Sequence, residues 1–171
     1  MKFSVVTHID ADISRVLDVL PSVELANARA QQLGLEQFTF TNSLEASARP
    51  HCDEVSSNLH ATISPAKFAP QMRTLLPSGL DVTIAAHQVP AGTSATVHYD
   101  VVIKGAPVQV EIVAKILNDD AGTSVTHVGD VKVNVPFLGA GIEKKVLAQL
   151  PKIFERDARI IEDTVKTFKA N

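Results

Sequence analysis

Three polar side chains fall where apolar ones are expected, and these are the residues of the chain best placed for chemistry. Asp157 lies near the centre of a helical stripe that also carries Leu150 and Ile161. An isolated carboxylate rarely tolerates burial; it pairs, hydrogen-bonds or stays protonated. Asp157 therefore reads as a structural hydrogen-bonding group, as a residue exposed by a slight rotation of its helix, or as a ligand-contacting or acid–base group. His127 shares the period-two phase of Val125, Val131 and Val133. Facing Asp157 across an interior, it would give the proton-transfer pair that cyclisation or dehydration of a carbonyl compound needs. A lone histidine in such a phase also serves as a satisfied core residue. Tyr99, the single tyrosine, lies in phase with Val97, Val101 and Ile103, where its hydroxyl can anchor a ligand or make one packing hydrogen bond. Asn42, Ser57 and Thr7 add weaker polar points, so the inward phases read as wetter than a sealed core.

Other chemistry is poorly supported. Glu143 falls in the apolar arc of the same helix but near its start, where stabilising the helix dipole or capping a free N–H accounts for it. Gly139-Ala-Gly141 lacks both the Walker lysine and the spacing of a dinucleotide fingerprint, and reads as a tight turn. The six histidines contain no His-x-His or His-Glu-x-x-His pair, so neither metal nor cofactor is expected. Cys52, the only cysteine, permits no internal disulfide and suits a reducing cytoplasm. The N-terminal residues lack the apolar run of a signal peptide, and no window reaches the roughly 18 apolar residues of a membrane span. A net charge of -3 and 5% aromatic residues without tryptophan argue against nucleic acid, which calls for a basic or base-stacking face. The expectation is a cytoplasmic protein with no integral membrane segment.

The 171 residues suit one domain with a substantial core. Lys2–Ile9 alternates and predicts a strand. Asp10 or Asp12 can cap a helix carrying Ile13, Val16, Leu17 and Leu20. Pro21 breaks that helix and, at a first helical position, starts another that ends at Gly34. From Glu36 the period becomes two: Phe38, Phe40, Asn42, Leu44 and Ala46 share a face, and after a turn at 48–53 so do Val55, Ser57, Leu59, Ala61 and Ile63. Pro65–Leu76 predicts a short helix, with Phe68, Met72, Leu75 and Leu76 at helical spacing. Four more strands follow at 80–89, 94–104, 107–117 and 123–135. Their short connections imply an antiparallel meander. A terminal helix then runs almost to Asn171. Pro151 falls opposite its apolar stripe, which predicts one kinked helix, convex to solvent, rather than two.

This order of elements, strand, two short helices, six strands and one long helix, resembles the helix-grip fold of the START-like superfamily, which includes the birch-pollen-allergen-like proteins, lipid-transfer START domains and polyketide cyclases. Lys104-Gly-Ala-Pro-Val-Gln-Val110 and the run Gly129–Glu143 look like an actinobacterial family of unknown function within it. The resemblance covers essentially the whole chain. It implies an α+β domain over 1–171, a seven-stranded antiparallel sheet wrapped around the terminal helix, with a hydrophobic cavity between them. It carries over no catalytic residue. The glycine-rich loop of the allergen-like members corresponds to Ser47–Asp53, which has no glycine, so no ligand role transfers there.

The function expected is carriage of a small hydrophobic molecule, such as a lipid, polyketide or aromatic metabolite. Phe38, Phe40, Leu59, Met72 and Ile161 would form apolar walls, with Asn42, Tyr99, His127 and Asp157 as polar contacts. The Met72 helix could close one mouth of the cavity. The alternatives are a cyclase- or dehydratase-like enzyme using His127 and Asp157, and a protein-interaction module with a filled core.

Overall fold

The computed structural model describes residues 1–45, 48–68 and 70–169, without the side chains of Gln71, Met72 and Leu75. Strand β1 (Lys2–Ile9) leads into helices α1 (Ile13–Val19) and α2 (Val23–Leu33). Strands β2 (Phe38–Asn42) and β3 (Val55–Ile63) follow, then a 3-10 turn over Pro65–Lys67 and helix α3 (Pro70–Leu75). A meander of β4 (Leu80–Ala91), β5 (Ser94–Lys104), β6 (Val108–Asp119) and β7 (Gly122–Val133) delivers the chain to α4 (Gly139–Thr167). The seven strands form one antiparallel sheet in the order β1-β7-β6-β5-β4-β3-β2. Helix α4 packs against β1 and β7 and against both short helices, so the sheet curls around it from one edge. This is the expected helix-grip architecture. Pro151 sits inside one uninterrupted helix, and it faces solvent.

Local signals explain most boundaries, with two corrections at the first helices. Asp12 has the extended backbone of an N-cap, but its carboxylate makes no capping bond. Asp10 is held through its backbone N–H by Glu162. The second helix begins at Val23 rather than Pro21, because Ser22 is the cap: its Oγ accepts from Leu25 N at 3.2 Å. Gly34 ends that helix at φ 63, a left-handed position that suits glycine. Strand β2 stops at Asn42; Leu44 lies beyond it, and Ala46 lies outside the described residues.

The concave face is read directly from register. One row crosses the whole sheet as Phe3–Gly129–Ile112–Tyr99–Ala86–Ser57–Asn42. On one side of it the interior is dry. Ile9, Val97, Ala114 and Ile116 from the sheet are each at most 3% exposed and meet Val16 and Leu17 of α1 and Ile161 of α4. The other side differs, and the candidate site lies there.

Candidate functional site

Beyond the Tyr99 row, the next concave row runs Phe40–Leu59–Ile84–Val101–Val110–Val131. Only Val131 is fully buried; the other five apolar side chains are half-buried. The row after it repeats the pattern: Phe38, Val82 and Ile103 are half-buried around a buried Ala61, and Ile63 and Leu80 beyond them are half-buried too. Ile142 and Val146 of α4 are half-buried as well. Helix α4 lies over β1 and β7, which leaves the concave side of β2–β5 incompletely covered at this end. Scattered exposed apolar residues are ordinary, but a contiguous half-covered apolar concavity is the surface a hydrophobic guest recognises.

The polar cluster marks the inner limit of this concavity. Asp157 accepts two hydrogen bonds from Arg29, from Nε and from Nη2, each 2.7 Å long. Both side chains are 27% exposed. Burial works against the charge on Arg29, but the Asp157 carboxylate outweighs it and raises the guanidinium further above its ordinary value. The Tyr99 hydroxyl is pushed up by burial, against the pull of Arg29 and with the aid of Asp157. His127 is buried and is driven down to about 4, chiefly by desolvation. The charge of Asp157 opposes that shift and the charge of Arg29 adds to it, so its imidazole is neutral at neutral pH.

Aromatic stacking fixes that imidazole. The ring of Phe154 lies parallel to His127, with centroids 4.0 Å apart and 8° between planes, and Phe3 stacks on the same Phe154 at 6.0 Å. Phe3 needs the space above Gly129: a Cβ there would lie 2.7 Å from Phe3 Cζ and would also collide with the Glu111 carbonyl. Tyr99, His127, Asp157 and Ile161 line a common hollow with Thr7, but its volume is about 20 Å³, room for a single water. Among the described residues the Thr7 hydroxyl and His127 Nδ1 have no protein partner, as groups sharing such a water would.

The expected site residues thus divide between two places. Phe38, Phe40 and Leu59 come together in the half-open concavity, whereas Tyr99, His127, Asp157 and Ile161 surround the water-sized hollow, Ile161 within the dry core. Asn42 is tied to the α1–α2 junction: its Nδ2 donates to Pro21 O at 2.8 Å, and its Oδ1 accepts from Leu44 N. The Met72 side chain lies outside the described residues. Among the described residues no hydrogen bond joins His127 to Asp157, whose partner is Arg29. Sequence reasoning missed Arg29, although its signal was present. Arg29 follows Leu25 and Ala26 at helical spacing on α2, an opposite charge in an apolar phase, like Asp157. Glu143 also differs from expectation. Rather than capping its own helix, it accepts from Val133 N at 2.9 Å and pairs with the Met1 amine at 3.1 Å. These contacts hold its carboxyl below the usual range and fasten α4 to the end of β7.

A second, shallow hollow of about 390 Å³ opens mainly on the outer face of β2–β5. There His87 lies between Ser56, 3.0 Å from Nδ1, and Glu54, 3.3 Å from Nε2. This is the connectivity of a nucleophile relay. All three residues are exposed to bulk water, which competes for each of these contacts and screens the charge of Glu54.

Comparison with known proteins agrees with the architecture. Residues 4–165 match the family model described as "Protein of unknown function (DUF2505)". Among solved structures, TTHA0849 from Thermus thermophilus superposes with a TM-score of 0.58 at 14% identity, covering 99% of this chain and 100% of that one. A START superfamily protein from Mycobacterium smegmatis gives 0.53 at 15% identity over 98% and 99% of the two chains. Ara h 8.0201 gives 0.53 at 7% identity over the same shares. These likenesses establish the START-like fold. No curated protein is significantly similar in sequence. Among the described residues, no helix is long and apolar enough to cross a membrane.

Proposed function

The chain belongs to the DUF2505 family, and we propose that it binds and carries a small hydrophobic molecule, such as a lipid, polyketide or aromatic metabolite, in the concavity between the sheet and α4. One observation carries this reading: the inner-face row Phe40–Leu59–Ile84–Val101–Val110 is apolar, contiguous and only half-buried. Covering such a surface stabilises a complex by about 25 cal/mol per Å², so a guest covering roughly 200 Å² gains on the order of 5 kcal/mol before the losses of association. The guest's body lies against these rows, with its polar end directed toward Tyr99 and the guanidinium N–H groups of Arg29 that Asp157 does not engage. The pocket needs no titrating residue to perform this role.

The cyclase-like alternative needs His127 and Asp157 within hydrogen-bond reach beside open space. Arg29 occupies the carboxylate, and the hollow they share admits one water. Carriage is therefore the favoured reading, and the half-buried rows favour it over an interaction module with a filled core.

Native mass spectrometry of freshly purified protein, followed by solvent extraction, tests the proposal. Titration with the dye 1-anilinonaphthalene-8-sulfonate supplies a second measurement. Ile84→Trp fills the concavity and is expected to weaken dye binding by about tenfold or more, equivalent to about 1.4 kcal/mol. Val102→Trp on the outer face should leave it unchanged. Apo mass alone, together with dye binding indifferent to Ile84→Trp, would refute carriage.

A further inference from the structure

Phe137 is fully exposed and adopts φ 64, the only described non-glycine residue in the left-handed region. A bulky side chain there is strained where glycine would not be, and a phenyl ring in water gains nothing to offset that strain. Its neighbour Leu138 is 62% exposed. The loop is not a loose excursion, because both its ends are fastened to Val133. Gly139 approaches the Val133 carbonyl so closely that no Cβ would fit, and Glu143 binds the Val133 N–H. Asn134 N also donates to Pro107 O at 2.8 Å, which sets the loop beside the β5–β6 turn, at the end of the sheet where the concavity is open.

The charge around this tip is one-sided. From Asp130 to Lys152 the chain carries Lys132, Lys144, Lys145 and Lys152 against two acids, Asp130 and Glu143, both of which pair with the Met1 amine. All four lysines are exposed. At 100° per residue Lys144, Lys145 and Lys152 fall within one solvent-facing arc of α4, with Lys144 and Lys145 only about 8 Å along the axis from its first residue, Gly139. A local excess of positive charge on a chain of net charge -3 points to an anionic partner. Two apolar side chains at a rigid tip are too small for a stable protein interface, which buries roughly 800 Å² per partner. They match an interfacial anchor whose lysines meet anionic headgroups.

We propose that the Phe137–Leu138 tip, with Lys144 and Lys145 behind it, docks the protein on the surface of an anionic lipid bilayer. That docking brings the open end of the concavity to the membrane from which a hydrophobic guest is taken or to which it is returned. This last step rests on the carriage reading; the docking itself does not.

The test is flotation of the full chain with vesicles of phosphatidylcholine alone or with about one third phosphatidylserine. Binding is expected only to the anionic vesicles and should weaken as salt is added. Lys144→Ala and Lys145→Ala should each reduce affinity by roughly fivefold, the equivalent of about 1 kcal/mol per lysine near the surface. Phe137→Gly suits φ 64, so it should keep or improve the melting temperature while lowering vesicle affinity by about tenfold. The chain has no tryptophan, so Phe137→Trp adds a single reporter whose emission should shift to the blue on anionic vesicles. Absence of binding at low salt, binding indifferent to Phe137→Gly, or self-association that Phe137→Gly abolishes would each overturn the proposal. Vesicle binding that survives while the purified protein shows only its apo mass and Ile84→Trp leaves dye binding unchanged would reject carriage and retain docking.

Discussion

Arg29 and Asp157 join two helices through one doubly hydrogen-bonded ion pair, and removing either partner should reveal how much the fold depends on it. Asp157→Leu strands a guanidinium whose side chain is 27% exposed. Breaking a fully buried pair costs about 3–5 kcal/mol, and an exposed pair contributes about 0–1 kcal/mol. A site one quarter open should fall between them, at about 2 kcal/mol. For a chain of this size that lowers the melting temperature by about 4–8 °C. Arg29→Met should destabilise similarly. The double variant replaces two desolvated charges with apolar groups and should recover to within about 1 kcal/mol of the parent. The assay is urea unfolding of the four proteins as a double-mutant cycle, with a coupling of about 3 kcal/mol expected. Additive losses would mean that the two side chains act separately, and the pairing argument would fail. A double variant more stable than the parent would instead show that the pair is retained at a cost to stability, consistent with a role at the inner end of a binding surface.

Two further predictions concern the aromatic wall. His127 stays neutral in the folded protein down to about pH 4, while its unfolded counterpart binds a proton near 6.5. Between those values the unfolded state holds the extra proton, so stability falls as pH falls, by up to about 3 kcal/mol. His127→Gln should flatten that slope, and an NMR titration placing the ring's pKa near 6.5 would disprove its burial-driven shift. Gly129→Ala should cost about 2–3 kcal/mol by overpacking. Because the Glu111 carbonyl as well as the Phe3 ring occupies the Cβ position, adding Phe3→Ala should not rescue it in thermal unfolding, and full rescue would refute the backbone clash.

The sheet was legible because its signals are local. Lys2–Ile9, Val55–Ile63 and Ser94–Lys104 coincide with the observed strands. Each alternates without interruption between turn residues, and a period of two leaves no freedom in which side faces inward. The phases of Tyr99 and His127 were readable for the same reason, and that of Asp157 from the helical period of α4. What escaped was non-local. Asp157 meets Arg29 across 128 residues, and no spacing rule links them; only the shared anomaly of a charge in an apolar stripe could have suggested the match. The second attachment of Glu143, to Val133, depends on how a turn folds back rather than on helix phase. The extent of cavity closure was equally hidden. It depends on where α4 rests across the sheet, which its amphipathic pattern does not specify.

The division of the interior into a dry end and a half-open end bears on both proposals. Ile9, Val16, Leu17, Ile116 and Ile161 are packed together without appreciable exposure, and close packing of this kind supplies most of a domain's margin of stability. The Arg29–Asp157 pair, the Tyr99 row and the Phe154 stack stand where this packed region ends. Beyond them the same strands continue outward with apolar side chains still facing inward but, on β2–β5, mostly only half-buried. A strand that needed only to complete the fold would carry polar residues once its cover ended, as its outer face does at Thr41, Ser56 and Asn58. Phe38, Phe40, Leu59, Ile84 and Val101 instead remain apolar past that boundary. Folding alone gives no reason for this, and a guest that covers them does.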